Sequence, residues 1–483
     1  MIKRNIYKWH RWLSVSMAIP VVMWIISGIM HPIMTSFKPQ VKKQFLESKV
    51  IDTSKIHISL KNALQTNKIS SILNFRIIEL DKTYYYQVKL KERVHPVYIS
   101  ATDGTLNLKG DYNYAIQIAK QMLGDTSSVK NVSVLYDFDE EYVYVNRFLP
   151  VYKVHFNRAD GIRLYIDTDG AKMALAMDNS RRAFNKFFVN FHSFGFLNCF
   201  GNFRLVVLVG LSMLSFITAV FGIYIWFVVS RKNKKQHDKI KHKKWHAKIA
   251  IYTAITTLGF TFSGALHAYE KFKPDNRNNY CHQPEIQTDV LDLNIAQLFK
   301  HSLNDGEITN VSIVSIDEKL FWQIYYKGKK GELKKNYRYI SDFSKLYNGD
   351  SLYASFIANK FSGNKSQEII ESKEILKFQG EYGFVNKRLP VVKVQYNKND
   401  NERYYIDTST GKLSLKVQDK DLLEGYSFSM LHKYHFLDFF GKLTRDIATV
   451  IAASANLLVT LIGILLFVKF IINKKTKKNS VIN

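Results

Sequence analysis

The sequence predicts an α-helical multi-pass membrane protein, with four transmembrane helices arranged as two tandem repeats and an α+β domain inserted in each repeat. Three observations carry this expectation. Four apolar stretches, roughly Leu13 to Met30, Leu205 to Ser230, Ile249 to Leu266 and Ile447 to Ile472, have about the length that crosses a bilayer, ~20 residues at ~1.5 Å each. Two of them are copies: WHRWLSVSMAIPVVMWIISGIMH at 9–31 and WHAKIAIYTAITTLGFTFSGALH at 245–267 both open on Trp-His and close on Ser-Gly-x-x-His. Mean hydropathy over all 483 residues is only -0.16, so most of the chain lies outside the apolar layer.

Taken in order, the chain starts with Lys3, Arg4, Lys8 and Arg11 ahead of its first apolar run, an arrangement like a secretory leader. No small-x-small cleavage site follows, and the run recurs in mid-chain, so it reads as a retained transmembrane helix. The formal net charge of +28 invites a nucleic-acid partner, but the basic residues lie in the wrong places for one. The densest run, Arg231 to Lys248, joins two apolar segments, and Lys474, Lys475, Lys477 and Lys478 follow the last. The positive-inside rule puts such residues in the cytoplasm, against anionic lipid. The expected division is a helix at 1–33, an outer domain with its interfacial segment at 34–203, a helix at 204–230, a basic cytoplasmic linker at 231–246, a helix at 247–268, a second outer domain with its interfacial segment at 269–445, a helix at 446–473 and a cytoplasmic tail at 474–483. In a bacterium this is an inner-membrane protein with both termini inside and its large domains in the periplasm.

Each outer region alternates turn signals with strand-like runs. In the first, Ser59 to Gln65 and Tyr112 to Leu123 read as helices and Ile72 to Leu80, Tyr84 to Leu90 and Pro96 to Ser100 as strands, with a turn at Asp103-Gly104. LPVYKVHF (149–156) and RLYIDTDGAKMAL (163–175) follow, the second a hairpin turning at Asp169-Gly170. The second region repeats this with Ile295 to Ser302, Phe321 to Tyr326, Tyr337 to Ile340, LPVVKVQY (389–396) and RYYIDTSTGKLSL (403–415). Asn146, Leu149, Pro150 and Asp167 match Asn386, Leu389, Pro390 and Asp407, each displaced by 240 residues. The same displacement carries FHSFGFLNCFG (191–201) onto LHKYHFLDFFG (431–441). These aromatic stretches are expected to lie along the interface and bend at Gly201 and Gly441. Parallel repeats imply a pseudo-twofold axis along the membrane normal, with one ligand drawn from each half.

Six of the 14 histidines fall at paired positions: His10/His246, His31/His267 and His192/His432. In a straight helix the 21-residue interval between His10 and His31, and between His246 and His267, returns the second to within roughly 60° of the first, so these four side chains are expected to face one bundle. Ionisable groups at membrane depth mark function, and paired imidazoles on facing helices suit the axial positions of haem b. Ser27-Gly28 and Ser263-Gly264 supply small residues beside the histidines, while Arg11, Arg204, Lys442 and Arg445 are candidates to meet propionates. Zinc or copper is the competing choice, although HExxH and its relatives are absent from the sequence. Cys199 and Cys281 form no CxxC, and two unpaired buried thiols are expected, with an outer disulfide as the alternative. Trp9 and Trp245 read as interfacial anchors. The tyrosine-rich strands, Tyr84, Tyr85, Tyr86, Tyr142 and Tyr144 among them, read as sheet packing.

The Trp-His-Arg-Trp opening, the Ser-Gly-x-x-His close, the His-x-x-x-Phe-Leu…Gly approach to the second and fourth helices and the LP-V-KV…YIDT-Gly hairpins resemble the PepSY-associated transmembrane family over nearly the whole chain. That resemblance implies two PepSY-like periplasmic domains and two b-type haems. It also implies a ferric-siderophore reductase passing electrons across the inner membrane to periplasmic ferric iron. His10, His31, His192, His246, His267 and His432 match the family's histidine positions. Two residues break the duplication, His435 opposite Gly195 and Pro20 opposite Thr256, and they leave the pairing of the outer histidines open. No Gly-x-Gly-x-x-Gly fingerprint occurs, so a flavoprotein, a quinol or another cytochrome is the expected electron donor. A membrane-anchored PepSY binding or regulatory module, or a subunit of an iron-uptake assembly, is the alternative.

Overall fold

The structure, a computed structural model, describes residues 2–34, 38–43, 46–144, 147–230, 241–272, 283–291, 293–302, 305–328, 333–363, 368–398 and 400–479. The chain forms two compact units. One comprises Met1–Lys38, Ser180–Pro274 and Asp421–Asn483, the other Pro39–Asn179 and Asp275–Lys420. In chain order the helices are α1 (Ile2–Ser16), α2 (Ala18–Met34), α3 (Leu60–Thr66), α4 (Gly110–Leu123), α5 (Asn179–His192), α6 (Phe203–Ser230), α7 (Lys241–Glu270), α8 (Ile295–Ser302), α9 (Gly349–Ser362), α10 (Asp419–Ser427) and α11 (Lys442–Asn479).

The first unit is helical. Among the described residues, Phe203–Val228, His242–Glu270 and Lys442–Lys474 are long and apolar enough to cross a membrane. Asn5–Ser16 and Ala18–Met34 pass the same test only together, bent by 54°, which makes three spans or four. The straight first helix expected from the sequence is therefore broken. Pro20 lacks the N–H that would bond the Ser16 carbonyl, and its ring crowds that oxygen; α1 stops at Ser16 and α2 resumes at Ala18. Thr256 stands at the matching place in the second copy, and α7 runs unbroken. In the bundle α7 packs along α6 and α11, α2 against α11, and α1 against α6.

The interfacial segments bend where glycine was expected to allow it, at Gly201 (φ 55°) and Gly441 (φ 91°). Each also carries a second left-handed residue, Phe194 (φ 50°) or Tyr434 (φ 53°), ahead of a 3₁₀ turn. A helical aromatic pays this strain only when its ring is held: Phe194 stacks on Trp24 and Tyr434 on Phe260, at 5.6 and 5.5 Å between centroids. Cys199 is exposed in the first of these turns, contrary to the buried thiol expected, because the turn presents it outward; Cys281 lies outside the described residues.

In the second unit each half builds two small antiparallel sheets around one helix. The first half has β2 (Asn74–Leu80), β3 (Thr83–Lys89), β4 (Val97–Ser100) and β5 (Leu106–Asn107) in one sheet, and β6 (Val129–Leu135), β7 (Val151–Phe156), β8 (Arg163–Asp167) and β9 (Lys172–Met177) in the other. The second has β11 (Glu307–Ile316), β12 (Lys319–Lys327) and β13 (Leu333–Tyr339), then β14 (Ile369–Ile375), β15 (Val391–Tyr396), β16 (Arg403–Asp407) and β17 (Lys412–Val417). The short strands β1 (Ser71–Ile72) and β10 (Ile286–Gln287) pair with each other and tie the halves together. Tyr114, Ile118 and Met122 of α4 pack on β7 and β8, and Tyr353 and Ile357 of α9 do the same on β15 and β16. Strands β6, β11 and β14 and helix α9 were not expected. β6 and β14 are edge strands whose solvent-facing residues weaken the alternation, and β11 interleaves Ser and Asn with its Val and Ile.

The two halves also share a core, in which Leu64, Phe75, Tyr86 and Ile99 meet Leu298, Ile313, Trp322 and Ile324. Their β8–β9 and β16–β17 hairpins are cross-braced by charge. Asp169 pairs with Lys89 of its own half and with Lys412 of the other at 2.7 Å, while within the second half Arg388 binds Asp407 at 3.0 Å. The turn itself differs from expectation: the left-handed residue is Ala171 (φ 50°), matched by Gly411 (φ 65°), while Gly170 donates its N–H to Asp167 Oδ2 at 3.1 Å. Burial pushes the Asp169 carboxyl up, but Lys412 and Lys89 together hold it well below the ordinary carboxylate range. A depressed folded pKa contributes stability that is present above about pH 4 and is lost as the pH falls. Asp169→Asn, which strands two buried ammonium groups, is expected to cost about 3–5 kcal/mol at pH 7. In tryptophan-monitored unfolding of the full chain, the gap between wild type and variant should narrow below about pH 4.

Candidate functional site

The six paired histidines lie in the helical unit, four at the His31 end of the spans and two at the His10 end. At the first end the interfacial helices carry Phe188 and His192, and Phe428 and His432, one turn apart on one face. The result is a continuous run of rings. His31 meets Phe188 at 5.5 Å between centroids, Phe188 stacks on His192 at 4.7 Å, His192 meets His432 edge-on at 6.0 Å, His432 stacks on Phe428 at 4.9 Å, and Phe428 stacks on His267 at 4.4 Å. Trp24 fixes the chain here by donating its indole N–H to the His192 carbonyl at 3.0 Å.

The hydrogen bonds decide which ring nitrogen is available. Ser27 Oγ directs its one proton at the Met23 and Trp24 carbonyls, at 2.7 and 3.0 Å. Toward His192 Nδ1, 3.0 Å away, it can only accept. His192 therefore carries its proton on Nδ1 and its lone pair on Nε2. Ser263 repeats the arrangement, bonding Gly259 O at 2.7 Å and accepting from His432 Nδ1 at 3.1 Å. His267 Nδ1 meets the Glu424 carboxylate at 2.5 Å. At the other end His10 Nδ1 donates to Thr218 O at 3.0 Å and His246 Nδ1 to Val459 O at 3.2 Å. Five of the six imidazoles are thus held through Nδ1, and among the described residues their Nε2 atoms have no hydrogen-bond partner, the arrangement by which metal-binding histidines are oriented.

The space beside the small residues is open. A Cβ on Gly28 would meet nothing within 4 Å, and one on Gly264 would only touch Ser212 Oγ at 3.9 Å. The serines beside them act as hydrogen-bond acceptors. Close approach falls to Gly222 and Gly463, whose added Cβ would sit 3.2 Å from His10 Cε1 and 3.3 Å from His246 Cε1. Sequence reasoning also missed Phe188, Phe428 and Glu424. The i, i+4 spacing of Phe188 with His192 and its recurrence at 428 and 432 was the available signal, whereas Glu424 has Phe184 opposite it and gives none.

Of the propionate candidates, Arg204 donates to Ser193 O at 2.9 Å, next to His192. Arg445 is engaged by Asp438 at 2.8 Å and Asp446 at 3.2 Å, and Arg11 lies over the Phe470 ring at 3.9 Å, at the His10 end. Lys442 reaches only Asp446, at 3.9 Å. His435, which breaks the repeat, bonds Asp438 at 2.6 Å and stands apart from the ring array. Among the described residues no three His, Cys, Asp or Glu side chains are grouped to hold a metal ion. Paired imidazoles without a third ligand suit a cofactor that brings its own equatorial ligands better than a bare zinc or copper ion.

Apolar spanning helices joined to β-sheet domains define a membrane protein, and its paired histidines gather at the two ends of the spans. The chain belongs to the family of the PepSY-associated TM region, which matches residues 7–294. No curated protein matches it.

Gly222→Val puts a branched side chain against the His10 ring and is expected to destabilise the detergent-purified protein by about 1–3 kcal/mol. Gly210→Val, where a Cβ meets nothing within 4 Å, is the control and should leave the melting temperature within about 1 °C.

Proposed function

We propose that the protein is a haem b protein of the bacterial inner membrane that carries electrons across the bilayer and reduces ferric iron, held as a ferric-siderophore, at the periplasmic face of four spans. The observation that carries this reading is the set of oriented imidazoles with Nε2 lone pairs, divided between the two ends of the spans. Two of His31, His192, His267 and His432 would be the ligands of one haem, and His10 and His246 those of a second. Bound there, haem supplies a one-electron couple tuned by its axial ligands and their hydrogen bonds.

The chain's own residues do the rest. Ser27 and Ser263 fix the tautomer and plane of His192 and His432, and the Thr218 and Val459 carbonyls do so for His10 and His246. Glu424 holds Nδ1 of His267, the one of the six that bonds a carboxylate, making the two halves inequivalent. Phe188 and Phe428 fill the space between histidines with apolar rings and exclude water. Fe(II) is a weaker partner than Fe(III) for hard oxygen chelators, so reduction releases the iron for uptake. Without a dinucleotide fingerprint in the sequence, electrons come from a flavoprotein or quinol. The basic linker at 231–246 offers a docking place, and its first ten residues lie outside the described structure.

Protein purified from haem-replete cells should show a b-type absorbance that sharpens on dithionite reduction. Among His31→Ala, His192→Ala, His267→Ala and His432→Ala, the two that take away axial ligands should remove part of it. A colourless wild type would leave the membrane-anchored binding module as the better description. Glu424→Gln should keep the absorbance but shift the midpoint potential of one component upward, since a neutral amide withdraws the charge that favours the oxidised iron. An unmoved potential in that variant would remove His267 from the ligand set.

A further inference from the structure

A cavity of about 380 Å³ opens in the first half of the extramembrane unit, with Arg93, His95, Asp111, Tyr112 and Tyr152 in its lining. Its floor is Asp111, which is buried and accepts from Tyr98 OH at 2.7 Å, from His95 Nδ1 at 2.9 Å and from Tyr152 OH. A carboxylate only accepts, so His95 carries its proton on Nδ1 and presents a lone pair on Nε2. That lone pair takes the hydroxyl of Tyr136 at 3.0 Å. Tyr136 is 56% exposed, and the neighbouring Val94 and Leu108 are exposed as well. The site is an acceptor aimed at a phenolic O–H, beside an uncovered apolar surface of the kind that marks a binding cleft.

The repeat provides an internal control. The second half keeps the part of this network that the fold requires: Tyr337 OH bonds Asp350 at 2.6 Å, Gln323 donates to Tyr337 OH at 2.6 Å as Gln87 does to Tyr98, and Gly349 lies against the Tyr337 ring as Gly110 does against Tyr98. Among the described residues, what it lacks is the acceptor. Lys335 pairs with Asp350 at 2.7 Å, and the strand register, Leu135 on Val151 and Ile375 on Val391, puts Leu376 and Val392 in the places of Tyr136 and Tyr152. The histidine and two tyrosines of the cavity are additions to one half that the shared fold does not need.

We infer that this cavity binds a hydroxylated aromatic group, a phenol or catechol. Its ring lies among Tyr112, Tyr152 and the apolar wall, its hydroxyl donates to His95 Nε2 in place of Tyr136, and a carboxylate substituent meets Arg93. The cavity is at the small end of the ~300–1,000 Å³ typical of ligand clefts, which fits one substituted ring. The site stands whether or not haem is bound. Joined to the proposed reduction, its ligand is a catechol chelator freed of iron, whose oxygens have regained their protons.

Calorimetric titration of the full-length protein in detergent with catechol tests this, with 1,2-dimethoxybenzene as the probe that has no hydroxyl to donate. Catechol should bind at one site, and dimethoxybenzene should not. His95→Ala should weaken catechol by about tenfold, the loss of one good hydrogen bond. Tyr136→Phe, an exposed substitution that leaves the fold intact, should tighten it several-fold by removing the competing hydroxyl, and Lys335→Ala in the other half should change nothing. Equal binding of the two probes, or catechol affinity indifferent to both His95→Ala and Tyr136→Phe, would overturn the site. The haem absorbance of the same samples separates the two proposals, since coloured protein that ignores catechol defeats only this one, and colourless protein that binds it defeats only the reductase.

Discussion

A hydrogen-bond acceptor that cannot donate governs the helical unit. Inside an apolar bundle a neutral imidazole has two tautomers, and nothing in the ring itself chooses between them. Carbonyl oxygens at Thr218 and Val459, and serine hydroxyls whose protons already bond the preceding turn at Ser27 and Ser263, make the choice by accepting from Nδ1. The cost of an unpaired polar group in low dielectric makes that choice firm. Helix spacing follows from it, because His10 and His246 reach their carbonyls only if α6 and α11 come close, which Gly222 and Gly463 permit. So does the strained entry to α6 and α11. Phe194 and Tyr434 are held left-handed against Trp24 and Phe260, and this sets where His192 and His432 stand.

Duplication lets each half serve as the reference for the other. Features present in both, such as the ring arrays, the serine acceptors and the Tyr–Gln–Asp networks, belong to the common design. Features present in one mark a division of labour. The second half has Glu424 behind His267, an unbroken α7, and an interhelical amide, Asn456, bonded to Thr256 at 3.0 Å and Thr257 at 2.5 Å. The first has its kink at Pro20 and the open cavity at His95. A charge-neutral amide bridge of this kind adds modest affinity between helices and fixes their register.

Much of this was legible in the sequence, for identifiable reasons. A bilayer demands length and apolarity, so the spans stand out as runs. The short helix expected from Ser59 to Gln65 forms as Leu60–Thr66, with Ser59 capping it by accepting from Asn62 N at 3.2 Å, and Ile295–Ser302 forms the helix expected there. The six histidines were found because they recur at fixed spacing. Edge strands such as β14 were not, since a strand paired on one side and wet on the other need not alternate. The kink at Pro20 was visible as a break in the repeat, but its size depends on what α1 and α2 pack against.

The sequence by itself determined the duplicated plan, the spans, and which histidines are paired, because periodicity and hydropathy are local properties that survive without coordinates. Only the tertiary structure decided which nitrogen of each imidazole faces a partner, that Phe188 and Phe428 lie between the histidines, that the two halves of the sheet unit share one core, and that a cavity opens beside His95. Each of these depends on groups far apart in the chain, whose distance and direction are set by packing. A residue's identity says that it can accept or donate; only its neighbours in space say which.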